Sequence, residues 1–228
     1  MKYIKFIVFM FITCLSLISC AKEEDSLIQI KEAIDKENVS LLKKIVKSDD
    51  SFNKVNDEPL VIYALKSDKP KAVEELLRLG MDISASDQHG MKFMHWAARF
   101  ENTHYLKLGV RFGGSVDAIN TKKKTNPTPI FEAINAIELS NVEYLIKEGA
   151  NINVVNSSGE TPLIVAAGLN RYDIVYILLE AGADFRVKDN WGKTVLYPLK
   201  NNAISKDSEL YQWKSRVIAF LEKKGVQL

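Results

Sequence analysis

The side chains that could carry out chemistry in this chain are a few histidines and scattered carboxylates. The histidines are His89, His95 and His104. Glu132, Glu138 and Glu143 fall on separate local faces, so they form no acid/base couple and should mostly be solvated. The chain has no phosphate-binding glycine loop, no G-x-S-x-G turn and no cysteine pair with metal spacing. We therefore predict a protein that is not an enzyme, holds no metal and takes no small-molecule substrate.

The N-terminal segment has the organisation of a secretory signal peptide. Lys2 and Lys5 precede an apolar run from Phe6 to Ile18 that is 13 residues long. A helix that spans a bilayer needs roughly 20 apolar residues, so a permanent transmembrane anchor is the weaker interpretation. We predict that residues 1–19 are a cleaved signal peptide.

The residues that end this segment, Leu17-Ile18-Ser19-Cys20, resemble the lipobox of bacterial lipoproteins. The resemblance implies that Cys20 is lipidated and becomes the new N-terminus, with residues 20–25 as a tether. Several acyl chains on one cysteine would make the membrane attachment durable. Residue 21 is Ala and not the Asp of the enteric inner-membrane retention signal, which favours the periplasmic side of the outer membrane. No cofactor is expected apart from this covalent lipid.

Cleavage would leave a chain with one cysteine and no net charge. Cys14 leaves with the signal, so no intramolecular disulfide can form and an apolar core must stabilise the fold. Loss of Lys2 and Lys5 lowers the basic count from 31 to 29, which equals the 29 acidic residues. This balance argues against a nucleic-acid partner.

Internal repeats determine the predicted architecture. The segment Thr161-Pro162-Leu163 leads into two alanines and ends at Gly182, and a preceding copy runs from Thr128 to Gly149. Both the threonines and the glycines of these copies are 33 residues apart. The pattern resembles the ankyrin repeat. The resemblance implies an all-α ankyrin-repeat solenoid over residues 26–228, with paired antiparallel helices, protruding turns and about six units including the caps.

Local chemistry supports the same helices. Thr161 can accept a hydrogen bond at a helix start, and Pro162 suits the first turn because its missing N–H costs nothing there. Gly182 falls where a helix closes with a left-handed residue. After an insertion of about ten residues, a last helix is predicted over roughly Glu209 to Lys224.

One copy departs from the pattern, since Lys92-Phe93 stands where Thr-Pro is expected. His95, in the same copy, matches the position of a structural histidine in ankyrin repeats and is predicted to be a satisfied structural residue. Aromatic residues at helical spacing are predicted to be core or flank rather than a ligand site: Tyr172, Tyr176, Trp213 and Phe220.

In ankyrin folds, partners contact the turn tips and the exposed side of the first helices. By motif position, the predicted partner-binding residues are Gln88, His89, Met91, Arg99, Lys123, Lys124, Phe131, Ser157, Ser158, Glu160, Asn190, Trp191 and Lys193. Trp191 is the strongest candidate because the repeat pattern does not explain a tryptophan in a turn tip. The alternative is that Trp191 folds back against the atypical last repeat.

The combination of lipobox and ankyrin repeats resembles immunity lipoproteins that protect bacteria against phospholipase toxins of the type VI secretion system. This resemblance implies a membrane-anchored protein that binds and neutralises a lipase-type toxin. A periplasmic ankyrin scaffold or stress-linked envelope factor is the alternative.

Overall fold

The computed structural model describes residues 27–48, 54–55, 58–120, 122 and 127–227. The predicted signal peptide, the tether with Cys20, and both Lys123 and Lys124 lie outside the described residues. The chain divides into two compact units, residues 1–82 and residues 83–228. Among the described residues, no helix has both the length and the apolar composition needed to cross a bilayer.

The first unit contains helices α1 (27–35), α2 (Val39–Ser48), α3 (Leu60–Lys66) and α4 (Pro70–Arg78). Ile30, Leu42 and Leu76 belong to its fully buried core. A short antiparallel hairpin of β1 (Lys54–Val55) and β2 (Glu58–Pro59) precedes α3. The helical prediction is confirmed, and within the described residues of this unit the hairpin is a correction to a purely helical description.

The second unit contains further helix pairs. They are α5 (Phe93–Ala97) with α6 (His104–Arg111), α7 (Pro129–Ala136) with α8 (Leu139–Lys147), and α9 (Pro162–Gly168) with α10 (Tyr172–Glu180), followed by α11 (Leu196–Asn201) and α12 (Glu209–Lys223). The first helices pack side by side in the order α5, α7, α9 and α11, and the second helices α8, α10 and α12 form a parallel row. Each helix pair therefore completes its core against its neighbours.

The predicted threonine cap is present at the start of α9 and missing at the start of α7, in the preceding repeat. Thr161 Oγ1 accepts a hydrogen bond of 3.3 Å from Ile164 N, and Pro162 lies in the first turn of α9. Gly182 adopts a φ of +90°, as the predicted left-handed closure requires. Thr128, the equivalent of Thr161, is buried, but its Oγ1 has no hydrogen-bond partner among the residues that the structure describes. The same residue type therefore caps only one of the two helices.

The last helix follows the prediction closely, since α12 begins at Glu209 and ends one residue before Lys224. Tyr176 on α10 faces Trp213 and Phe220 on α12, with ring centroids 5.9 Å and 6.1 Å away. Tyr172 is fully buried. The interpretation of these aromatic residues as packing groups is confirmed.

Candidate protein-binding surface

The turn tips of the second unit are built on one recurring hydrogen-bonded turn. Each begins with an Asp or Asn, here called the anchor, and the anchors are Asp87, Asn120, Asn156 and Asp189. At the tips of Asp87, Asn156 and Asp189, Oδ1 accepts hydrogen bonds of 2.8–3.0 Å from the backbone N–H groups two and four residues later. Asn120 Oδ1 accepts the first of these bonds from Lys122 N at 3.0 Å. An anchor of this kind holds a tip without any regular strand.

Neighbouring tips are joined by further hydrogen bonds. Asn120 Nδ2 donates to His89 O at 3.0 Å. At the next junction described in full, Asn190 Nδ2 donates to Ser157 O at 2.8 Å and Asn190 N donates to Ser158 O at 2.9 Å. These bonds connect residues about one repeat apart, so the Asp87 tip is linked to the Asn120 tip and the Asn156 tip is linked to the Asp189 tip.

Trp191 projects from the tip that Asp189 anchors. Its side chain is 67% exposed, although its backbone N–H donates to Asp189 Oδ1 at 2.9 Å. The alternative that Trp191 folds back against the last repeat is therefore wrong. Tyr197 on α11 is 49% exposed, and Lys193 Nζ lies 4.0 Å from the centroid of the Tyr197 ring. Trp191, Lys193 and Tyr197 are called the aromatic tip below.

Most of the predicted contact residues that the structure describes are accessible. Exposed ones are Gln88, His89, Arg99, Ser157, Asn190, Trp191 and Lys193, and Ser158 and Glu160 are partly exposed. Met91 and Phe131 are each only 3% exposed, so their expected role as projecting contacts is wrong. Met91 closes the tip through its N–H bond to Asp87 Oδ1, and its side chain packs in the core. Phe131 lies in the first helix turn of α7, where it contributes a buried surface.

A groove of about 240 Å³ lies between the first helices α7 and α9. It is lined by Pro127, Phe131, Glu132, Asn135, Asn156, Glu160 and Val165. Glu132, expected to be solvated, is instead buried, and its Oε2 lies 2.8 Å from Arg99 Nη1. Glu160 Oε2 accepts a hydrogen bond of 3.0 Å from Asn156 Nδ2. We call this feature the α7–α9 groove.

His95 has the structural role that the repeat pattern predicted. It is fully buried, and its Nδ1 accepts a hydrogen bond of 3.2 Å from Lys92 N. Its Nε2 lies 2.9 Å from Pro127 O, a carbonyl that can only accept, so Nε2 carries the proton. The ring therefore connects the start of α5 to the segment before α7.

A second cavity, of about 260 Å³, lies between α10 and α12 and has cations at its edge. Arg186 Cζ is 4.6 Å from the Phe185 ring centroid, and Lys224 Nζ is 5.7 Å from that of Phe220. The carboxyl ends of both helices are at this cavity, and cations compensate the partial negative charge there. These two side chains thus have a structural reason to lie where they do.

A search of the described part of the chain found no group of three or more His, Cys, Asp or Glu residues that could hold a metal ion.

Comparison with known proteins identifies the repeats. Residues 105–189 match the family model of ankyrin repeats, in three copies. The ankyrin-repeat domain of Bcl-3 superposes with a TM-score of 0.71 at 21% identity, over 84% of this chain and 85% of that domain. The chain therefore has the ankyrin-repeat fold.

Two curated relatives share the repeats over part of their length. The transient receptor potential cation channel subfamily A member 1 of Homo sapiens is 37% identical over 86 residues, which is 38% of this chain and 8% of the channel. Protein PhlB of Serratia liquefaciens is 31% identical over 112 residues, which is 49% of this chain and 48% of PhlB. The chain thus spans less than half the length of either protein.

Ankyrin repeats form protein interaction scaffolds, and the fold is typically non-catalytic. The class of protein that the repeats indicate is a protein interaction scaffold.

Proposed function

We propose that this protein is a membrane-anchored immunity lipoprotein that binds and neutralises a lipase-type effector of a type VI secretion system. The observation that carries the binding part of the proposal is the 67% exposure of Trp191 on a hydrogen-bonded tip. The lipobox-like sequence before Cys20 supports the membrane anchor, and its combination with ankyrin repeats supports the immunity role.

The aromatic tip has the properties of an interface anchor. Tryptophan, tyrosine and arginine dominate the energy of protein interfaces, and a large aromatic side chain loses little conformational freedom when it is buried. The backbone around Trp191 is already held by Asp189 and Asn190, so binding would cost less ordering of this loop. The adjacent cation Lys193 would pair with a carboxylate at the edge of the partner's pocket.

The lipid anchor would determine where in the cell envelope the protein binds its partner. With Cys20 acylated, the binding surface would stay close to the membrane on which a lipase acts. A bound partner that covers the tips and the α7–α9 groove would be held by many small contacts around one anchor. Neutralisation would then follow from covering the lipase active site or blocking its approach to lipid.

A capture experiment tests this function. The chain from Ala21 to Leu228, without lipid, is immobilised and exposed in parallel to secreted effectors and to native envelope extract. We expect recovery of a single lipase at one-to-one stoichiometry, with loss of its hydrolytic activity in the complex. Recovery of resident envelope proteins alone would contradict the immunity role and favour the alternative, a periplasmic scaffold or stress-linked envelope factor.

A further inference from the structure

The α7–α9 groove has an unbalanced charge. Two carboxylates line it, and Glu132 is neutralised by Arg99 at 2.8 Å. Glu160 instead accepts a hydrogen bond from the neutral amide of Asn156 at 3.0 Å, and it has no cation partner among the ion pairs of the described residues. Among the described residues, the groove lining therefore has one carboxylate without a cation partner, and the charge complement of that carboxylate is a cation.

Part of the groove lining is apolar, and Val165 is the partly exposed member of that part. Phe131 and Val165 line it together with Pro127, and they come from α7, α9 and the segment before α7. A long cationic side chain can cover an apolar surface with its methylene groups while its charged end reaches a polar rim. The combination of the apolar side chain of Val165 and an acidic edge thus fits an extended basic side chain better than a small inorganic cation.

The volume of the groove and the polar groups at its rim indicate which cationic group it fits. Its volume of about 240 Å³ lies below the roughly 300–1,000 Å³ of ordinary small-molecule sites, so it suits one side chain. Asn135 and Asn156 add side-chain amides at the rim beside the Glu160 carboxylate. A guanidinium group presents five N–H donors in a plane and can donate two at once to a carboxylate, whereas an ammonium group acts as a point charge.

We propose that the α7–α9 groove receives an arginine side chain of the protein partner, with the methylene groups on the partly exposed Val165 and the guanidinium on Glu160. This rests on the proposed function only in that the arginine belongs to a protein. It gives the binding surface two chemically opposite contacts, an acidic groove and the basic aromatic tip. A partner would be oriented by presenting an arginine to the first and a carboxylate to the second.

The inference can be tested without the partner, by NMR titration of the chain from Ala21 to Leu228 with n-butylguanidinium. We expect chemical-shift changes at the backbone amides of Asn156, Glu160 and Val165, with weaker binding of n-butylammonium and none of the neutral n-butylurea. Glu160→Gln should weaken n-butylguanidinium binding by about tenfold, since a charged hydrogen bond is lost. Val165→Phe, which fills the groove, should also abolish these changes.

The matched control is Glu143→Gln, which removes an exposed carboxylate on α8 and should leave the affinity unchanged. Equal shifts with n-butylurea, or unchanged affinity in Glu160→Gln, would overturn the arginine site. If n-butylguanidinium binds as expected and the capture experiment yields no lipase, the groove stands and the proposed function fails. If a lipase is captured and the groove residues do not respond, only the arginine site fails.

Discussion

The tips at Asp87 and Asp189 have the same type of backbone turn, but the tryptophan near each tip has a different environment. In both, Oδ1 of the anchor holds the N–H groups two and four residues later. Asp87 is buried, and its Oδ2 also accepts a hydrogen bond of 3.0 Å from Trp96 Nε1. Trp191, by contrast, lies on the tip itself and is largely exposed.

The comparison separates residues that stabilise the repeat from residues that are free to contact a partner. The anchor and its backbone bonds recur at the Asp87, Asn156 and Asp189 tips because the same turn conformation places two N–H groups within reach of the anchor oxygen. Trp96 is tied to the fold by its bond to Asp87. Trp191 sits at the tip with most of its surface exposed to solvent. A tryptophan in these repeats is thus a binding candidate only where the fold leaves its side chain exposed.

The largest expected difference is in the free energy of unfolding, between variants of the anchors Asp87 and Asp189. Asp87→Ala should lower the free energy of unfolding by about 3 kcal/mol, because it removes three accepted hydrogen bonds and leaves the Trp96 Nε1 donor without this acceptor. Asp189→Ala should cost about 1 kcal/mol, since its tip is more exposed. Urea unfolding of both variants measures the difference, and equal losses would show that Oδ2 of Asp87 contributes nothing.

The two tryptophans should separate binding from stability. Trp191→Ala should weaken binding of the captured lipase by about 2 kcal/mol and change the free energy of unfolding by less than about 0.5 kcal/mol. Trp96→Phe should leave binding of the lipase unchanged. It should lower the free energy of unfolding by about 1–2 kcal/mol, because the hydrogen bond to Asp87 is lost. Isothermal titration calorimetry and urea unfolding of each variant give both quantities.

A matched control for Trp191 is Leu169→Ala, which removes another exposed apolar side chain, 44% exposed, at the other end of α9 from the tip. It should leave the affinity for the lipase unchanged. Equal weakening by both substitutions would mean that general apolar surface, and not the aromatic tip, binds the partner.

The smallest expected effect concerns the two helix-start threonines. Thr161→Val should lose about 1 kcal/mol of stability because the cap to Ile164 N disappears. Thr128→Val should be neutral or slightly stabilising, because the buried Oγ1 of Thr128 has no hydrogen-bond partner within the described part of the chain. Thermal unfolding of the pair measures this, and a comparable loss in Thr128→Val would contradict the assignment of an unsatisfied hydroxyl.

The fold could be predicted because its signals are local. Thr161, Pro162 and Gly182 each act within a few residues of themselves, and repetition at 33 residues places the helix pairs in order. The hairpin at Lys54–Val55 could not be predicted, because a two-residue strand is too short to show an alternation of apolar and polar residues.

The surface could be predicted only in part, because burial depends on neighbours that motif position does not describe. Met91 and Phe131 occupy positions near the tips and first helices, yet the core covers both side chains. The α7–α9 groove and the pairing of Glu132 with Arg99 join residues about one repeat apart, and no single copy shows them. Tyr197 was missed because it follows the tip by four residues in the atypical last repeat.

The central claim is that a protein partner binds the tips and the first helices of the second unit. Hydrogen–deuterium exchange of the chain with and without the captured lipase tests it most directly. The account predicts slower exchange on complex formation over residues 88–92, 157–160 and 190–197, with the second helices α6, α8 and α10 unchanged. Protection confined to α6, α8 and α10, with the tips unaffected, would contradict it.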